Sequence, residues 1–134
     1  FHLGDDYPDA EELAFAGRDV RMVPGLWCEA YRNARVPKRI VEDIDGVVVA
    51  AAHAAKDLRH TECSADIVMT GHTHEAAVER AGRTVYLNPG HLKGAESRGQ
   101  HPSFAIVEIA DDAIRAAIHE LTGDVRKQKR FKRT

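Results

Sequence analysis

The sequence turns on one stretch, Asp66-Ile67-Val68-Met69-Thr70-Gly71-His72-Thr73-His74: an apolar run, a glycine, then two histidines. Asp66 to Thr70 predicts a buried strand, and Gly-His-Thr-His the loop at its end. Two imidazoles this close on a glycine-started loop point to metal, because neutral imidazole binds Zn, Mn and Fe-type ions. Working outward, Val47 to Ala52 is apolar throughout, as a strand covered on both faces is, and it ends in His53. Asp45-Gly46 predicts a hairpin joining it to Arg39–Ile44. Downstream, Ala76–Ala81, the turn Gly82-Arg83 and Thr84–Leu87 predict a second hairpin that runs into Asn88-Pro89-Gly90-His91. Upstream, Leu3-Gly4-Asp5-Asp6 reads as the end of a strand already under way. Four strand ends therefore each carry a metal-capable side chain. A carboxylate can bridge two ions, and ions roughly 3.5–4 Å apart can clamp a phosphoryl group.

The rest of the chain bounds this reading. At 134 residues, 43% hydrophobic and 30% charged, it predicts one globular α/β domain dominated by sheet, over residues 1–124. No apolar run approaches the roughly 20 residues that cross a bilayer, so no membrane partner is expected. Cys28 and Cys63 are too few for a disulfide scaffold, and a cytoplasmic setting follows. Six of the 19 Lys and Arg fall between Arg126 and Arg133, which leaves the body of the chain acidic. An acidic body does not suit a nucleic-acid face, and residues 125–134 read as a solvated basic tail. Asp9 predicts an N-cap for a helix through Ala16, stopped by Gly17. A strand is expected over Asp19–Pro24, a short helix within 55–64, and a last hairpin from Ser103–Ile109 to Ile114–Leu121. Trp27, Tyr31 and Phe104 read as core or interface anchors. Cys28 reads as a half-buried thiol, and His2, His60, His101 and His119 as surface or structural residues.

The motifs Leu3-Gly4-Asp5, Val23-Pro24-Gly25, the strand into His53, Asp66 to His74, the Gly82 hairpin and Leu87-Asn88-Pro89-Gly90-His91 run in order along about residues 1–121. In that order they resemble the calcineurin-like metallophosphoesterases, in particular the small bacterial and archaeal phosphodiesterase branch. The resemblance implies a two-sheet α/β sandwich with helices outside and the site at the strand ends. It also implies that the first strand and helix, with their Asp-x-His pair, lie upstream of Phe1, so that activity is expected of the intact protein and these 134 residues are expected to be impaired on their own. Two divalent metal ions (Mn, Zn, Fe or Ni) are implied. Asp5 would bridge them, His53 and His72 would bind the second ion, and His74 the first, while Asn88 and Gly90 shape the loop. The implied activity is hydrolysis of a small phosphate ester, a phosphodiester, by attack of metal-activated water. His53 or His91 would be the catalytic histidine that protonates the leaving oxygen, and a homodimer is implied as well. Two departures stand out. The family's Gly-Asn-x-Asp loop appears as Gly25-Leu26-Trp27-Cys28-Glu29, so Cys28 or Glu29 stands nearest to replacing the asparagine ligand. Ala55 stands where a second histidine commonly follows His53. They keep an alternative in view, a catalytically inactive phosphoesterase-fold scaffold for protein–protein interaction, similar to the retromer subunit of this fold.

Overall fold

Asp45 and Gly46 both take positive φ, 51° and 76°, the backbone twist that suits a two-residue hairpin. They fold β1 (Arg39–Ile44) onto β2 (Val47–Ala52) in the computed structural model, which describes residues 1–133. Strand β2 pairs in parallel with β3 (Ile67–Thr70), and β3 in parallel with β5 (Thr84–Asn88). Strand β4 (Ala77–Ala81) closes the edge antiparallel to β5, giving the order β1-β2-β3-β5-β4. Because β2, β3 and β5 point the same way, His53, Gly71–His74 and Asn88–His91 all leave from one end of the sheet.

A second sheet contains β6 (Ser103–Ile109), β7 (Ala113–Glu120) and β8 (Val125–Lys132) in that order. Ile114, Ala116 and Ile118, alternate residues of β7, meet Val47, Val49 and Ala51 from one face of β2 in the main core. The opposite face of β2 places Ala50 with Ala65 and Val68 in a smaller cluster. Burial on both faces is the reason the β2 sequence does not alternate.

Four expectations are corrected. Residues 125–132 are not a solvated tail, because β8 completes the second sheet against β7. Four of its charges are matched by acids on neighbouring elements. Lys127 and Lys129 reach Glu79 of β4 at 2.9 and 2.8 Å, Arg126 pairs with Glu120, and Arg130 with Asp112. The first helix, α1 (Tyr7–Phe15), begins before Asp9, with Pro8 supplying its first turn. At its other end Gly17 and Arg18 donate N–H bonds back to Ala14 and Leu13. Asp19–Pro24 contributes only a bridge between His2 and Met22, whereas the short helix expected within 55–64 is present as two 3-10 turns, Ala55–Asp57 and Glu62–Ser64. Trp27 is no core anchor; it is 86% exposed just before α2 (Glu29–Arg32). No helix among the described residues is long and apolar enough to cross a membrane.

Candidate metal centre

Gly4 sits at φ +128°, and a Cβ there would lie 1.9 Å from Nδ1 of His53. Without a side chain at that position, the ring reaches the backbone, and Nδ1 of His53 donates to the Leu3 carbonyl at 2.7 Å. That bond leaves Nε2 of His53 turned toward Asp5, 3.8 Å from Oδ1, and 3.2 Å from Nδ1 of His72. Gly25 backs onto Asp5 in the same manner: a Cβ would stand 2.7 Å from its Oδ1. On the other side of the carboxylate, Nε2 of His74 lies 3.2 Å from Oδ2, while its Nδ1 meets the Ser97 hydroxyl at 2.8 Å. A hydroxyl both donates and accepts, so Ser97 can hold His74 in either tautomer.

The loop carrying these imidazoles is locally strained. His72 and His74 have φ of 66° and 63°, a region that non-glycine residues enter seldom and mainly at functional sites. Asn88 supports them. Its amide nitrogen donates to the Gly71 carbonyl (2.9 Å) and the Thr73 hydroxyl (3.0 Å), and its Oδ1 accepts the Gly90 N–H at 3.0 Å. Arg98 donates from outside to the carbonyls of His72 and Thr73, and the Gly71 N–H ties the loop to His53 at 2.9 Å.

Burial pushes the Asp5 carboxyl up, but the His74 bond and the nearby His53, Lys93 and His74 outweigh it and hold the group below its ordinary value. Asp5 therefore stays a carboxylate at neutral pH. Lys93 adds positive charge 3.6 Å from Oδ2.

The structure thus brings Asp5, His53, His72 and His74 together at one end of the sheet. His91, one of the two histidines that the resemblance offers as proton donor, lies next to His74, with ring centroids 5.5 Å apart. Its Nε2 donates to the Gln100 carbonyl at 2.7 Å and its Nδ1 accepts the Lys93 N–H at 3.1 Å, so both nitrogens are bound to backbone. Cys28 and Glu29 begin α2, and among the described residues neither bonds to Asp5 or the three histidines. Lys93, Ser97 and Arg98 carry no motif; their loop reads as irregular, and only folding brings it over the centre.

Among the described residues, no three His, Cys, Asp or Glu donors already enclose one point. The donors instead touch pairwise along a line from His72 through His53 and Asp5 to His74. Their chemistry fits a divalent ion: one carboxylate with two oxygens, three imidazoles, and outer nitrogens of His53 and His74 engaged by backbone or hydroxyl as ligating histidines require.

A family model, the calcineurin-like phosphoesterase superfamily domain, matches residues 1–112. The chain belongs to that superfamily. Several solved structures have a similar fold. A predicted phosphoesterase from Streptococcus pneumoniae is 24% identical with a TM-score of 0.77, the match covering 99% of this chain and 80% of that one. Vps29 from Entamoeba histolytica, solved with zinc, is 26% identical with a TM-score of 0.66, over 98% of this chain and 77% of its own. Yfce, a phosphoesterase from E. coli, is 19% identical with a TM-score of 0.63, over 90% of this chain and 68% of its own. The calcineurin-like superfamily uses divalent metals, and the five- and three-stranded sheets seen here match the fold of these neighbours.

Proposed function

We propose that this chain is a metal-dependent phosphoesterase acting on small phosphodiesters, with Asp5, His53, His72 and His74 holding two divalent ions. The observation that carries the reading is the Asp5 carboxylate, which has an imidazole Nε2 beside each oxygen, each ring fixed through its other nitrogen. Divalent ions at such a centre polarise a phosphoryl oxygen and lower the pKa of water. The chain's own residues supply the frame. Asp5 keeps its negative charge. The Leu3 carbonyl fixes the His53 tautomer, and Asn88 holds the His72–His74 turn. Lys93 and Arg98 bring positive charge to the rim, where an anionic ester arrives. His91 orders the covering loop. Both cysteines are free thiols, in keeping with a cytoplasmic setting.

The test is metal analysis of the purified protein together with turnover of bis(p-nitrophenyl) phosphate after chelation and reloading with Mn, Zn, Fe or Ni. Restored turnover with at least one ion is expected. A protein that binds none of the four and turns over nothing would overturn the reading. It would favour the scaffold alternative, which draws on Leu26 in the place of an asparagine ligand and on the exposed Trp27 beside it.

A further inference from the structure

The parallel strands that end at the metal centre begin at a second, cationic cavity. It measures about 50 Å³ and opens at the far end of the sandwich, between the starts of β2, β3, β5 and β7 and the end of β8. Its polar lining is Arg80, Arg83, Lys132, Arg133 and one acid, Asp66. We propose that this cavity is a binding site for a phosphate-class dianion, orthophosphate or a phosphomonoester, separate from the metal centre.

Three observations support it. The lining charge is unbalanced: four cations face one carboxylate, and Asp66 is already engaged by the Val48 N–H at 2.9 Å and Arg83 at 3.1 Å. The guanidinium groups of Arg80 and Arg133 are positioned by neutral acceptors. Arg80 donates to the carbonyls of Gly82 and Lys132, and Arg133 to those of Ala110 and Asp45. Carbonyl bonds fix direction without cancelling charge, and an arginine fork held this way keeps N–H groups for an oxyanion. The turn also leaves room for this packing: a Cβ on Gly46 would lie 3.2 Å from the Arg133 guanidinium. The volume exceeds that of a single water, for which about 10–15 Å³ suffices, and an oxyanion with several acceptors matches four convergent cations better than water does.

The six residue steps from Val47 to His53 span about 20 Å along the strand, so one small anion cannot touch both sites. The far site therefore reads a second anion, or the phosphate group of a second molecule.

The test is titration of chelator-treated protein with inorganic phosphate, followed by amide chemical shifts and calorimetry. Expected are shift changes centred on Gly46, Val47, Arg83 and Lys132. Lys132→Glu should weaken phosphate about tenfold, since it removes one charge-assisted contact. Among the described residues the Lys132 side chain forms no hydrogen bond or ion pair, so this variant should fold, as a melting curve checks. His72→Gly with His74→Gly, which disables the other end, should leave phosphate affinity unchanged. Shifts confined to Gly4, Gly71 and Asn88, affinity lost in the histidine variant, affinity unmoved by Lys132→Glu, or no binding at all would each overturn the proposal.

Discussion

Gly4 shows how narrowly the centre is built. With φ +128° and the His53 ring 1.9 Å from where a Cβ would stand, alanine is excluded both by backbone strain and by collision. Gly4→Ala is expected to lose about 1–3 kcal/mol of stability and to turn the His53 ring off the Leu3 carbonyl. Chemical unfolding and the His53 ring resonances check this, and a wild-type ring environment would count against it. His72 and His74 call for a different substitution, because alanine at φ 66° or 63° adds strain of its own. Glycine removes the imidazole and tolerates the backbone. His74→Gly should weaken the ion on the Oδ2 side of Asp5, and His72→Gly the one shared with His53, each by at least roughly 10–100-fold in affinity. If the rings were structural instead, the lost Ser97 and His53 bonds would lower stability by about 1–3 kcal/mol with metal content unchanged. Metal stoichiometry and melting temperature on the same two proteins separate these outcomes. The Gly-His-Thr-His motif made this pair legible in the sequence. Ser97 and Lys93 were not, since a loop residue's chemistry depends on where tertiary packing lays the loop.

The strands tell a similar story about range. β1, β2 and both ladder hairpins were readable because hairpin turns and apolar runs are local signals. β8 was not. Its sequence, Val-Arg-Lys-Gln-Lys-Arg-Phe-Lys, is a charge run, and the acids that neutralise it lie on β4, on β7 and in the turn before β7. Glu79 is the clearest of these partners. Hydrogen bonds from Lys129, then Lys127, together with their charges, pull its carboxyl from 4.5 down to about 2. A lowered folded-state pKa gives stability that is present above the ordinary value and is lost as pH falls through the folded one. Glu79→Gln should therefore melt below wild type at neutral pH, and the two curves should converge as pH drops from 4.5 toward about 2. Because Glu79 is 60% exposed, solvent and salt screen the contact, so the gap should be small and shrink in high salt. A gap that held constant down to pH 2, or widened with salt, would show that the β4–β8 brace is not electrostatic.

Taken as one body, the molecule joins two unequal parts. The two sheets share a continuous core, whereas residues 1–25 add no strand to either sheet. That segment is held by the His2–Met22 bridge within itself, by Leu3 packed on the edge of the core, by the Arg21–Glu42 pair, and by the Leu3 and Asp5 contacts with His53 and His74. Segments tied by few contacts open locally, at free energies well below global unfolding. An ion held between Asp5 and the histidines would link this segment to the ends of β2 and β3, so its binding energy should oppose that opening. At free ion 100 times the dissociation constant, the linkage is about 2.7 kcal/mol, or roughly 100-fold in the population of the open form. Hydrogen exchange measured with chelator and with excess Mn should then slow by up to that factor in amides of residues 2–25 and the Gly71–His74 turn. Exchange in β7 and β8 should stay as it was, because those strands protect themselves through global stability and do not touch the ion. Slowing spread evenly over both sheets would mean that the segment and core open as one unit, and no slowing anywhere would mean that no ion bridges Asp5 to the histidines.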